Sequence, residues 1–382
     1  MRQAYLDNSA TTAVCRPAAE KALYIMTQEY GNPSSLHTLG FAAEKEMTAA
    51  RQAVAGLIGA TPDTIVFTSG GTEANNLAIL GGAAAHRREG THAVTTAVEH
   101  SSVSAAFDQL EKDGLTVERL RPGTDGMITA QQVAEACRED TRLVSVMLVN
   151  NETGARFPVE EMVPLIRRRA PRALIHCDAV QAAGKIPVSA VRMGVDLLTI
   201  SGHKLHAPKG SGALYIRKGV RILPRQIGGG QEHGLRSGTE STPLIAAFGE
   251  AIRALPTPAS QQELYTRLRD QLLDGLRALE SHIPLHLHLP QVGVPYILNL
   301  SVPGLRSETL LHFLAQRGVY VSSGSACSKG HKSPVLTALG LPAADIDSAL
   351  RISFSYTNTP ADIDQLLDGL SAAVSTLATR RR

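Results

Sequence analysis

Tryptophan is absent from this 382-residue chain, and all aromatic residues together make up 4%. That removes the stacking platforms on which single-stranded nucleic acid is held. Cysteine is scarce: only Cys15, Cys137, Cys177 and Cys327 occur, none in a CxxC pair. Four in a chain of this length excludes a disulfide scaffold and predicts a reducing, cytoplasmic setting. A dominant charge is missing too. Lys plus Arg number 38 and Asp plus Glu 35, for a net +3. So thin an excess predicts no direct nucleic-acid binding. No run approaches the roughly 18 apolar residues that mark a membrane span. The opening MRQAYLDNSATT has one Arg and no apolar core of a secretory leader. Neither internal repeats nor low-complexity segments are found.

What is present is globular. Hydrophobic residues reach 43% and charged ones 19%, enough apolar surface for a core and too much for general disorder. At about 150 residues per domain, the length predicts two to three domains. Strand-like runs alternate with helix-period stretches over the first 220 or so residues. The strands are expected at 64–68, 93–96, 116–120, 143–149, 174–177 and 197–200, with helices at 73–88, 103–112 and after Thr129. Continuous apolar runs such as Leu143–Val149 suit parallel strands covered on both faces. This βαβ alternation predicts a mainly parallel sheet under helices. The texture changes at Pro256-Thr257-Pro258. Beyond it, helices at 261–279, 307–317 and 361–377 and strands at 297–301 and 352–354 predict a smaller α+β unit, and Arg380–Arg382 a frayed, solvated end.

Three stretches carry chemistry. Ser201-Gly-His-Lys204 directly follows an apolar strand. Burial there lowers a lysine's affinity for its proton and suits Lys204 to Schiff-base formation; an ordinary loop lysine is the competing reading. Asp178-Ala-Val-Gln181 ends another strand, where ligands of parallel sheets bind. An Asp there can keep a pyridine nitrogen protonated, although it could equally cap a helix. Ser69-Gly-Gly-Thr72 lies between strand and helix, where glycines and free N–H groups accommodate phosphate. It is neither GxGxxG nor a GK[ST] loop, so a small phosphorylated cofactor fits better than NAD or ATP.

Phosphate cup, Asp and Lys occur in that order, each at a strand end. With them stand Tyr5–Thr12, Gly31–Ser35, Thr68–Asn76, Glu99-His100, Val149–Gly154, Asp178–Lys185, Ser201–Gly210, Arg236–Thr239 and Ser322–Cys327. In these stretches and their order the chain resembles the cysteine desulfurases. These are pyridoxal-phosphate (PLP) enzymes of class V aminotransferase ancestry and of the aspartate aminotransferase fold type (fold type I). The resemblance implies a large domain, residues 15–257, with a mainly parallel seven-stranded sheet, and a small α+β domain of residues 1–14 and 258–382 that carries a cysteine loop. The scattered His37, His206, His233 and His331 show no metal-ligand spacing, so no metal site is expected. The resemblance implies that Lys204 bonds the cofactor, Asp178 pairs with the pyridine nitrogen and Gln181 with the ring hydroxyl. His100 covers the ring and assists proton transfer. Gly71, Thr72, Ser201 and His203 bind the phosphate. Thr239 reaches the neighbouring active site of a homodimer. Asn151, also near the cofactor, and Arg351 hold the substrate carboxylate; an Arg fork matches a carboxylate.

Cys327 marks a desulfurase among such enzymes. Its surroundings, Ser322 to His331, are small and polar with Lys329 and His331 nearby, which favours an exposed thiolate. Cys15, Cys137 and Cys177 read as inert packing residues. The implied reaction takes sulfur from L-cysteine, releases L-alanine and leaves a persulfide on Cys327 for an acceptor protein. Selenocysteine lysis or transamination on the same fold is the alternative. The connection from Cys327 to Ser333-Pro-Val-Leu336 is shorter than in the familiar housekeeping members. That leaves open whether the acceptor is an iron–sulfur scaffold or a tRNA- or DNA-thiolation partner. Arg167-Arg-Arg169, ending a helix pattern, reads as a solvated cationic end.

Overall fold

The computed structural model describes residues 2–280, 284–323 and 332–377. Its strands, in chain order, are β1 Ala4–Tyr5, β2 Ile65–Thr68, β3 His92–Thr96, β4 Thr116–Leu120, β5 Thr141–Ser145, β6 Leu174–Asp178, β7 Leu197–Ser201, β8 Gly212–Ile216, β9 His286–Leu287, β10 Ile297–Ser301, β11 Val319–Tyr320 and β12 Ala349–Ser353. Seven of them form one sheet in the order β2-β8-β7-β6-β5-β3-β4. All run parallel except β8, which is antiparallel to both neighbours, β7 and β2. The mainly parallel seven-stranded sheet is therefore as expected. Every residue of β2, β3, β5, β6, β7 and β8 is buried. Only the edge strand β4 is not. Helices cover both faces, so these strands read as unbroken apolar runs rather than alternating ones.

A three-stranded antiparallel sheet, β12-β10-β9, forms the second layer system. Helices Pro258–Glu280, Ser307–Ala315 and Pro360–Leu377 accompany it. The N-terminus joins this part: β1 pairs in parallel with β11, and Asp7 bridges to Ser353. The following residues, 8–12, then lie between this layer and the large sheet, and that crossing is what the site uses.

Local chemistry explains the elements. The helix Ala130–Ala136 opens with a reciprocal capping box between Thr129 and Gln132. The expected helix 73–88 begins at Gly71 and runs to Ala85, with a wide turn over Leu77–Gly81. The expected strand 143–149 is shorter. Pairing covers Thr141–Ser145, after which Val146 and Leu148 donate backbone N–H to His176 and Asp178 of β6 as the chain leaves the sheet. An apolar run alone does not say where a strand stops and a buried loop begins. Strand β8 and helices Arg16–Thr27, Thr38–Leu57 and Thr242–Ala254 also form beyond those expected. At Gly212 a Cβ would sit 2.6 Å from the Gly70 Cα, so glycine lets β8 lie against the Ser69–Gly70 turn. No helix among the described residues is long and apolar enough to cross a membrane.

Candidate active site

The C-terminal ends of β2, β6 and β7 open into one cavity of about 970 Å³. It is lined by Gly71, Thr72, His100, Asn151, Asp178, Gln181, Ser201, His203, Lys204 and Arg351, ten of the twelve residues expected from sequence. Two stand apart. Thr239 is exposed and does not line the cavity of its own chain. Cys327 lies outside the described residues.

Lys204 ends the short turn Gly202–Lys204 that follows β7. Its Nζ donates to the carbonyls of Ser9 and Ala10, the latter at 2.7 Å. These oxygens belong to the N-terminal segment crossing from the small sheet. Burial, then the cations Lys185 and Arg351, lower the Lys204 pKa to about 7, against the opposing pull of Asp7 and Asp178. At neutral pH much of this amine is therefore uncharged and nucleophilic.

Asp178 caps the end of β6, buried to 5% exposure. Its Oδ1 accepts the Val180 N–H at 2.9 Å and its Oδ2 accepts from Asn75 Nδ2 at 2.8 Å. The same Asn75 amide donates to Ser102 Oγ at 2.9 Å, which lies 2.8 Å from His100 Nδ1. Nδ1 also accepts the Ser102 backbone N–H at 3.2 Å. An Nδ1 that accepts places the proton of the neutral ring on Nε2. Burial lowers the His100 pKa, with Asp178 opposing and Lys204 reinforcing the shift. His100 is thus a neutral imidazole with an Nε2–H donor, tied to Asp178 through two side chains.

The expected phosphate cup is shaped by absence. A Cβ on Gly71 would meet Val180 Cγ2 at 3.0 Å and Ser201 Cβ at 3.5 Å. Ser201 Oγ is buried there without a hydrogen-bond partner. The one carboxylate of that first turn, Glu73, is engaged by Arg236 at 2.8 Å and the Ser69 N–H at 2.9 Å. Arg351, 2% exposed, donates through its Nη atoms to Asp7 Oδ1 at 2.8 Å and the Asn151 carbonyl at 3.1 Å. Its Nε, like Asn151 Oδ1, has no partner.

Comparison with known proteins places the chain in a family. The class-V aminotransferase model matches residues 4–366. The chain belongs to the class-V aminotransferase family. It is 41% identical over 375 residues to cysteine desulfurase 2 of Trichormus variabilis, covering 98% of this chain and 93% of that protein. Among solved structures, a NifS-like protein superposes with a TM-score of 0.92 at 35% identity, covering 98% of this chain and all of that one. SspA in complex with cysteine gives 0.81 at 33%, covering 92% and 99%. This family member is accordingly a PLP-dependent enzyme of the cysteine desulfurase group.

The residues present fit that cofactor. An unpartnered hydroxyl and a glycine cradle suit its phosphate, a buried carboxylate suits its ring nitrogen, and a lysine with a lowered pKa suits its aldehyde. Several participants escaped sequence reading. Asn75 and Glu99 lie inside quoted stretches without an assigned role, and Lys185 closes the Asp178 stretch. Glu99 is buried. One oxygen accepts from Thr96 Oγ1 and the Met147 N–H, the other has no partner, and burial lifts its pKa to about 8. Such side chains look like ordinary helix or loop residues until the fold closes around them. Among the described residues, no group of three or more His, Cys, Asp or Glu is placed to hold a metal.

Proposed function

We propose that this chain takes the sulfur of L-cysteine onto Cys327 and releases L-alanine, using the residues gathered in the 970 Å³ cavity. The observation that carries this is the convergence of Lys204, Asp178 and Arg351 in a single pocket. Arg351 holds the substrate carboxylate with Asn151, its free Nε adding an N–H to the fork. Gly71, Thr72, Ser201 and His203 hold the cofactor phosphate, Gln181 the ring hydroxyl and Asp178 the ring nitrogen. PLP, when bound, supplies an electron sink that acidifies the Cα–H of an attached amino acid. Lys204 Nζ, uncharged, takes that proton and returns it. His100 Nε2–H donates into the pocket during this transfer. The Cys327 thiolate then attacks the substrate sulfur. The S–C bond breaks, an S–S bond forms, and the proton shed by the thiol ends on the alanine carbon, so the conversion needs no external oxidant.

The persulfide passes to an acceptor thiol by exchange. We read the acceptor as an iron–sulfur scaffold or a tRNA- or DNA-thiolation partner, and the setting as cytoplasmic. We read residues 15–257 as the large domain and 1–14 with 258–382 as the small one; the pairing of β1 with β11 supports this division. A homodimer in which Thr239 completes the neighbouring site fits its exposure and its distance from the chain's own cavity. The test is alanine formed from L-cysteine with PLP and a thiol reductant. Wild type is expected to form it and Cys327→Ala almost none. Sulfur transfer by Cys327→Ala at the wild-type rate would overturn the reading.

A further inference from the structure

Lys185 is a second buried lysine beside the first. It ends the turn after β6 and is 4% exposed. Among the described residues no carboxylate pairs with it, and burial and Arg351 both lower its pKa, to about 8. Its Nζ lies over the Tyr296 ring, 5.2 Å from the centroid, and donates to Gln181 Oε1 at 3.4 Å. Gln181 Nε2 in turn donates to the Ser9 carbonyl at 3.0 Å, one of the two carbonyls that hold Lys204 Nζ. Tyr296 OH closes the unit by donating to the Gln181 carbonyl at 2.8 Å. A buried lysine kept without a counter-ion is costly. One ammonium beside another is a known way to keep the second amine neutral.

We propose that Lys185 is a positioning residue for Lys204: its ammonium holds the neighbouring amine in the uncharged form, and its hydrogen bond to Gln181 turns that amide so its N–H₂ faces Ser9 and the cofactor side. This rests on Lys204 being the amine that takes the cofactor. The charges around the pair are consistent with it. Lys204 is faced by Asp7 and Asp178, which favour its proton, and by Arg351 and Lys185, which oppose it. Lys185 acts in the same sense on His203 and His206, both of which stay neutral. The two amines are joined through the Gln181 amide and the Ser9 carbonyl, and Lys185 lowers the pKa of Lys204.

The test titrates the Lys204 amine in the full-length, cofactor-free protein. A trace amine-reactive label is applied across a pH series and the Lys204 peptide is read by mass spectrometry. The wild-type midpoint is expected near pH 7. In Lys185→Met and Lys185→Gln it should rise by about one unit, cutting the uncharged fraction at pH 7 roughly fivefold. Lys185→Arg, which keeps the charge, should stay within a few tenths of wild type. Two neutral variants are used so that one folding failure leaves the comparison intact. A wild-type midpoint near that of an ordinary lysine overturns the proposal. So does a neutral variant that loses thermal stability while its midpoint stays put, since Lys185 would then serve structure alone. A low midpoint that responds to Lys185 in a protein making no alanine overturns the desulfurase reading and leaves this one standing.

Discussion

At the two ends of strands β6 and β7 the molecule buries similar groups and balances the charges of one set more fully than those of the other. Asp196 enters β7 at 2% exposure. It is ion-paired with Arg167 at 2.6 Å and Arg217 at 2.5 Å, and accepts the Ile175 N–H at 2.8 Å. Arg167 also donates to the Ala173 carbonyl. It was expected on a solvated helix end, but it turns inward because a buried carboxylate needs a cation. At the opposite end lie Asp178, Lys204 and Arg351. There Ser201 Oγ, Asn75 Oδ1, Asn151 Oδ1 and Arg351 Nε are buried without partners. In the first cluster the charges are balanced by protein alone, Asp196 Oδ1 meeting Arg217 as an ion pair without a hydrogen bond. The second keeps unused hydrogen-bonding capacity, which is where a ligand of matching polarity binds at least cost.

The sharpest way to break this contrast is to delete one group from each end. Lys204→Ala should lower alanine formation by about 10²–10⁴-fold while leaving the melting temperature unchanged or raised. Asp196→Asn should do the reverse. It removes the anion between two arginines and should cost about 2–3 kcal/mol of stability, with turnover per folded molecule unchanged. Turnover and denaturant unfolding on both variants decide it; an activity loss in Asp196→Asn beyond its unfolded fraction would dissolve the distinction. A middle effect is expected from Asn75→Ala, which unties Asp178 from Ser102 and His100. Misplacing both should slow turnover about ten- to a hundredfold, and pre-steady-state kinetics should find the loss in proton transfer rather than in cysteine binding. The smallest is Ser201→Ala. Its hydroxyl has no protein partner, so stability should hold while PLP affinity falls about tenfold. A fluorescence titration with PLP measures this, and unchanged affinity would take Ser201 out of the phosphate cup.

Much of this was legible beforehand, for identifiable reasons. Strands buried on both faces must be apolar throughout, so β5, β6 and β7 stand out as uninterrupted runs. Lys204, Asp178 and Gly71 are readable because their chemistry needs those residue types at strand ends. Asn75, Ser102 and Lys185 are not. Asn75 lies 103 residues from its partner Asp178, and no local pattern encodes such a pairing. Strand β8 was missed because it runs antiparallel between β7 and β2 and breaks the βαβ rhythm that revealed its neighbours. Cys327 was singled out from sequence and lies outside the described residues, so its part in the chemistry rests on the reaction test.

Residue types and their order alone determined the fold class, the cofactor and the set of chemical groups available, because periodicity and strand-end motifs are local properties of a chain. Only the folded chain decided which of those groups carry charge. The Lys204 pKa is lowered to about 7 by burial, Lys185 and Arg351, while its Nζ is held by two carbonyls that residues 9 and 10 bring from far away in the sequence. His100 takes its tautomer from Ser102. Protonation depends on solvent exclusion and on the distance to other charges, and both exist only once segments remote in sequence have been brought together.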